Sequence, residues 1–170
     1  MLLGSDSGGL AARDSICSRL MRLSHQVQYA ICGIFDLAYN GRGEPVQIRV
    51  ISERQAVPSR YLEQIFQRLR RAGLVTSKRG PGGGYTLSRA AARITLREIV
   101  EAVQGPIADA LAMKPADSEA GASYRPEFLW TVLADRFGGA LDDISLEQLC
   151  GAATRAEVER AAADPPMYFI

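Results

Sequence analysis

The chain has 170 residues, 47% of them hydrophobic and 23% charged, with a formal net charge of +1. That is enough for one compact domain with an assembly element and too little for two large catalytic domains. The balance hides an asymmetry: residues 22–104 hold thirteen Lys/Arg against six Asp/Glu, whereas residues 105–170 hold five against eleven. Such a division fits a first half that meets a polyanion, and equally two solvated faces that meet none.

No apolar run approaches membrane-spanning length, and residues 1–20 lack a secretory signal pattern, so a cytoplasmic protein with no membrane partner is expected. Cys17, Cys32 and Cys150 are odd in number and widely spaced, which suits reduced thiols. With no CxxC or Cys/His cluster, neither a metal site nor a cofactor is expected. The lone His25, at the start of the first helix, has no partner for a Ser/His/Asp or Cys/His arrangement, and the chain reads as a non-enzyme.

In chain order, Ser24 is a candidate N-cap for a helix whose apolar residues Val27, Ala30, Ile31, Ile34, Leu37 and Ala38 recur at helical spacing until "NGRGEP" breaks the pattern. "VISERQAV" reads as a short second helix. "PSRYLEQIFQRLRRAGL" is a third, with Leu62, Ile65, Phe66 and Leu69 as its buried stripe, Pro58 suited to its first position and Gly73 placed for a C-terminal cap. Its other face carries Arg60, Glu63, Gln64, Gln67, Arg68 and Arg71, side chains that bond base edges and phosphates or, alternatively, form the wet face of an amphipathic helix.

"LVTSKRG" and "GYTLS" then alternate at strand period around "PGGG", a turn that tolerates positive φ. A phosphate-binding loop would close its glycine run with a Lys-Ser/Thr pair leading into a helix, whereas Gly84 is followed by Tyr85 and a strand. The order helix, turn, helix, hairpin predicts a winged helix. In that frame the glycines let the wing backbone approach DNA, while Lys78 and Arg79 supply charge for a narrow minor groove. "ITLREIVEAVQG" predicts a fourth helix with Leu96, Ile99, Val100 and Val103 on one face, and residues 105–126 read as a loop.

A last long helix is expected from Glu127 to about Leu141, with Trp130, Leu133, Phe137 and Leu141 on one stripe, suited to packing on the same helix of a second subunit. Gly138 and Gly139 carry a helix-propensity cost and mark a bend or a close helix crossing. "DDISLEQL" reads as a final short helical turn and the tail "ADPPMYFI" as loose.

"MRLS" at Met21, "ISERQAVPSRYLEQIFQRLRRAGLV", "RGPGGGYTL" and the later "LW" and "DR" around Trp130 together resemble the Rrf-two family of bacterial transcription regulators. The likeness runs from Met21 to about Leu149. It implies a homodimeric winged-helix DNA-binding protein that responds to a signal sensed near its dimerisation helices. Carried over by position, Arg60, Tyr61, Glu63 and Gln64 fall on the base-reading start of the recognition helix, and Arg79 with Gly80 to Gly84 on the wing. Cluster-binding members carry three loop cysteines and often a ligand histidine. By position this chain has Ala112, Ser118, Tyr124 and Glu127 instead, so a conventional iron–sulfur cluster is not expected. Some relatives take a ligand from the first helix, which makes Cys32 a candidate redox sensor; the alternative is a small buried hydrophobe beside Ile31 and Ile34.

The expected architecture is mainly α with a small β-hairpin wing: a winged helix-turn-helix plus a long C-terminal dimerisation helix. Its divisions are an extension over 1–20, a DNA-binding domain over 21–104, a sensor-type loop without cysteines over 105–126, a dimerisation region over 127–149 and a tail over 150–170. The candidate DNA contacts are Ser59, Arg60, Tyr61, Glu63, Gln64, Arg68, Lys78, Arg79, Gly80, Gly82 and Gly83. The expected partners are a double-stranded DNA operator, a second copy of the chain, and a small-molecule or protein effector. The rival reading is a winged-helix module that docks a metabolic enzyme.

Overall fold

The computed structural model describes residues 24–111 and 127–161. Three helices come first: α1 (His25–Asn40), α2 (Ile48–Gln55) and α3 (Ser59–Arg71). Ser24 caps α1, its side chain accepting from the Val27 N–H, as the sequence suggests. Val27, Ala30, Ile34 and Leu37 turn the inner face of α1 onto Leu62, Ile65, Phe66 and Leu69 of α3, and these eight side chains are the centre of the core. Gly33 sits where the two helices meet most closely, since a Cβ there would lie 2.9 Å from Phe66 Cε2.

α2 is shifted two residues towards the N-terminus of the expected segment and stops at Ala56, which takes the left-handed conformation at φ 50. Pro58 is the N-cap of α3 rather than its first helical residue and makes no side-chain cap. At the other end Gly73 has φ 72, and the Leu74 N–H reaches back to the Leu69 carbonyl at 2.9 Å, a closure that needs a residue free to adopt positive φ.

The hairpin pairs β1 (Val75–Lys78) with β2 (Gly84–Leu87), antiparallel, in the register Val75 to Leu87 and Lys78 to Gly84. A third segment that periodicity does not reveal joins it. Val46 donates to Tyr85 O at 2.9 Å and accepts from Tyr85 N at 2.8 Å, tying the link between α1 and α2 to the far side of β2.

After a 3-10 turn (Ala91–Arg93) come α4 (Leu96–Gln104), α5 (Ile107–Leu111), α6 (Glu127–Asp142) and α7 (Leu146–Arg155). Thr95 and Glu98 make a capping box for α4, and Ser145 and Gln148 make one for α7. Reciprocal backbone bonds, Leu96 N to Ile144 O and Leu146 N to Ile94 O, both 2.8 Å, join the two starts. They bring Leu146 into the core with no exposure.

Two expectations are corrected here. Residues 107–111, read as loop, form α5, with Ile107 buried. The final helical turn is a ten-residue helix that continues to Arg155. The described residues after that helix, to residue 161, return to the end of α1, where Tyr39 donates its hydroxyl to Val158 O and Asn40 accepts from the Ala161 N–H; the stretch "ADPPMYFI", expected to be loose, lies outside the described residues. The extension over 1–20, with Cys17, and the loop residues Ala112, Ser118 and Tyr124 lie outside the described residues.

Candidate nucleic-acid interface

The amphipathic pattern of α3 divides its side chains cleanly. With Leu62, Ile65, Phe66 and Leu69 inward, Arg60, Tyr61, Glu63, Gln64, Gln67 and Arg71 stand exposed on the outer face. Tyr61 is 54% exposed, a large amphipathic ring held in water at the start of the helix. This row has the donors, acceptors and planar surfaces that base edges and phosphates require.

Two members of the candidate set point elsewhere. Arg68 is half-buried and its guanidinium donates to Val103 O at 2.7 Å and to Gln26 Oε1 at 3.0 Å. It therefore joins α3 to the C-terminal end of α4 and the start of α1, because its position at the edge of the apolar stripe lets the stem follow the core while the head finds a carbonyl. Ser59 donates its hydroxyl to Ser52 Oγ at 2.8 Å, and Ser52 donates to Val57 O at 2.6 Å, so Ser59 fixes the turn between α2 and α3.

A buried carboxylate that sequence reading missed braces the same turn. Asp36 has no exposure, yet its Oδ1 accepts from Asn40 Nδ2 at 2.8 Å and Gln55 Nε2 at 3.0 Å, and its Oδ2 faces Arg54 Nη1 at 3.5 Å. A buried charge is tolerated only when paired and hydrogen-bonded in this way. The available signal was an acid inside the apolar run of α1, followed four residues later by Asn.

At the wing, Lys78, Arg79, Gly80, Pro81 and Gly82 are all exposed. Gly80 and Gly82 take φ of 92 and 67, and Gly83 N–H closes the turn onto Gly80 O at 2.9 Å. The last two glycines are demanded by the protein itself. A Cβ on Gly83 would strike the Lys78 carbonyl, and one on Gly84 would stand 2.5 Å from the Val46 backbone. Close approach to DNA is therefore not needed to explain these two positions. Arg70 of α3 donates to Ser77 Oγ at 3.1 Å and steadies β1 against the helix.

α6 carries the second candidate surface. Phe128 is 67% exposed, and Leu129, Val132, Leu133 and Phe137 are exposed beside it, with Trp130 half-buried. Leu141 departs from the expected stripe and packs partly buried on the core of its own chain, since the helix by then runs against α4. Gly138 marks a close crossing, where a Cβ would lie 3.0 Å from the Arg97 guanidinium, whereas Gly139 faces open space. Arg97 in turn bonds Asp142 at 3.0 Å and Glu101 at 3.1 Å.

Cys32 is exposed on α1, not the buried hydrophobe of the alternative reading, and partial burial of its side chain raises the thiol pKa. Cys150 is half-buried, its pKa raised mainly by burial. His25 stands exposed at the start of α1, its ring 6.1 Å from that of Tyr29. Among the described residues no group of three or more His, Cys, Asp or Glu gathers as a metal site.

A helix-turn-helix with a polar, exposed second helix and a cationic hairpin beside it defines a winged-helix DNA-binding regulator. The chain belongs to the Rrf2 family, described as iron-dependent transcriptional regulators, which it matches over residues 23–152. It is 40% identical over 129 residues to the HTH-type transcriptional regulator IscR of Escherichia coli O1:K1, covering 76% of this chain and 80% of that one, and equally to IscR of Cronobacter sakazakii. Among solved structures it is similar to T. potens IscR, at 31% identity and a TM-score of 0.62, over 88% of this chain and 97% of that one. It is also similar to CymR, the global cysteine regulator of B. subtilis, at 30% identity and a TM-score of 0.61, over 78% and 98% of the two chains.

The protein is thus a DNA-binding transcriptional regulator and not an enzyme. Its donor set does not fit an iron–sulfur cluster: such clusters are held by thiolates, and no cysteine lies between Cys32 and Cys150. Of the described residues, no helix is long and apolar enough to cross a membrane.

Proposed function

We propose that the protein acts in the cytoplasm as a homodimeric regulator, with α3 in the major groove of an operator, the wing tip on the neighbouring minor groove, and a signal other than an iron–sulfur cluster. The observation that carries this reading is the outer face of α3. Six polar or aromatic side chains stand exposed there above a fully buried stripe, and Lys78 and Arg79 extend the same surface into the wing. Arg60, Tyr61, Glu63 and Gln64 read bases, while Lys78, Arg79 and the backbone of Gly80 and Gly82 meet phosphates and the minor groove; Gly83, expected among these contacts, is buried and closes the turn instead. The exposed face of α6, with Leu133 and Phe137 beside Trp130, supplies the two-fold interface, because an exposed apolar patch of that kind is buried when two copies of the helix pack together. Cys32 is the candidate entry point for an oxidative signal, beside an organic or protein effector.

The test is fluorescence anisotropy on DNA from upstream of the protein's own gene, with random DNA as competitor, reduced and then treated with diamide. Arg79→Ala is expected to weaken binding to all sequences and to lower the log–log salt slope by about 1, whereas Glu63→Ala changes preference at particular base pairs. Equal losses on specific and random DNA for Glu63→Ala contradict its base-reading role. Phe137→Asp is expected to convert the dimer to monomer in sedimentation, and an unchanged mass overturns the α6 interface.

A further inference from the structure

The polar groups that brace α1 and α2 continue without a break to the far end of the described chain. After α7 the backbone reverses through Glu157, at φ 55, a conformation that L residues rarely adopt, with Val158 N–H bonded to Ala153 O at 3.0 Å. The chain then returns over the end of α1. Tyr39, almost fully buried, donates its hydroxyl to Val158 O at 2.9 Å, and the Arg160 guanidinium lies 4.5 Å from the centre of its ring. The Ala161 N–H donates to Asn40 Oδ1 at 2.9 Å.

Asn40 uses its other end on Asp36, which also takes Gln55 and Arg54 of α2, and α2 holds the first residue of α3 through Ser52 and Ser59. One connected set of hydrogen bonds and helices therefore leads from residue 161 to the start of the recognition helix. Its central carboxylate is sealed from water, so the Asp36 contacts cannot be replaced by solvent without moving a helix. The returning segment lies beyond residue 152, where the family match ends.

We propose that residues 157–161 form a strap that sets the placement of the helix-turn-helix, with Tyr39, Asn40 and Asp36 as positioning residues for DNA recognition. The proposal rests on the reading of α3 as the element that contacts DNA. The strap fixes Asn40, Asn40 orients Asp36, and Asp36 holds the end of α2 that leads into α3. A binding event or cleavage that lifts the strap would shift the recognition helix without touching it.

The test uses the full chain with Tyr39→Phe and Ala161→Pro combined, which removes the hydroxyl and the N–H that tie strap to helix. Amide hydrogen exchange over residues 48–62 is expected to quicken about tenfold while that of α4 stays unchanged. Affinity for DNA from upstream of the protein's own gene is expected to fall about threefold to tenfold, with affinity for random DNA of the same length unaltered. Adding Ala161→Pro to Asn40→Ala should cost no more than Asn40→Ala alone, since Asn40→Ala already removes the bond that Ala161→Pro breaks. Unchanged exchange over 48–62 overturns the proposal, as does a loss shared by α4 and by both DNAs, which would be general loosening. If the unaltered protein shows no preference for its own upstream DNA, the DNA reading fails there, and the exchange pattern alone decides the strap.

Discussion

Gly84 offers the sharpest test of how the wing is held. In Gly84→Ala the new methyl would stand 2.5 Å from both the carbonyl carbon and the oxygen of Val46, and 2.9 Å from its nitrogen. All three are backbone atoms, so no rotamer change relieves the clash. Reaching ordinary contact at 3.4 Å requires the two segments to part by about 0.9 Å. That stretches the bonds of 2.8 and 2.9 Å between Val46 and Tyr85 beyond hydrogen-bonding range. Two such bonds contribute about 2 kcal/mol net, and the smaller conformational freedom of alanine in the unfolded chain returns about 0.4–1 kcal/mol. A net loss of about 1–2 kcal/mol should lower the melting temperature by roughly 2–8 °C in a chain of this size. Circular dichroism reads the melting, and anisotropy on the upstream DNA reads the displaced wing as weaker binding. A variant that melts within about one degree of the original and binds equally well would refute the claim that Val46 anchors β2.

Gly139→Ala is the converse case, because its Cβ meets nothing within 4 Å on an exposed turn of α6; a gain of about 0.5–1 kcal/mol is expected in urea unfolding. Arg68→Ala leaves the Val103 carbonyl unpaired and should cost about 1–3 kcal/mol of stability while leaving the salt slope of DNA binding unchanged, in contrast to Arg79→Ala. Burial raises the Cys32 pKa, so the folded state favours the neutral thiol. That contribution is whole below the unfolded pKa and fades as pH rises through the folded one. Thiol labelling of the Cys17→Ser/Cys150→Ser double variant near pH 7, in which Cys32 is the remaining thiol, should therefore run slower than that of a free thiol, and Cys32→Ser should flatten the alkaline side of the stability profile.

The recognition helix and the wing were legible because their signals are periodic. Leu62, Ile65, Phe66 and Leu69 repeat at helical spacing, and the strand alternation resumes on both sides of "PGGG". What stayed hidden is what periodicity does not encode. Val46 bridges β2 with a single residue, too short to carry a pattern. Arg68 sits at the margin of an apolar stripe, where the helical wheel gives either face and only the position of the Val103 carbonyl decides. The burial of Asp36 is not legible in the α1 run alone, because its partners Gln55 and Arg54 lie some twenty residues on. Sequence alone left Cys32 open between sensor and buried hydrophobe for a related reason: its apolar neighbours Ile31 and Ile34 lie on the side of the helix that it does not share.

The same marginal residues decide how a regulator of this shape can be switched. α6 has its apolar face in water at one end and at the other is fastened to α4 by Arg97, which bonds Asp142 while its guanidinium lies across Gly138. α4 is fastened to α3 at its far end by Arg68 on Val103. A rotation of α6 therefore cannot leave α4 in place without breaking the Arg97 contacts, and α4 cannot move without drawing on the recognition helix. The wing is held from two sides, by Arg70 of α3 on Ser77 and by Val46 of the link between α1 and α2 on Tyr85. A displacement of α3 would therefore draw on the wing through Arg70 while Val46 holds the wing's other side in place. On the proposed reading, in which α3 and the wing reach adjacent grooves together, a small displacement of α3 against the Val46 anchor is enough to separate specific from non-specific affinity.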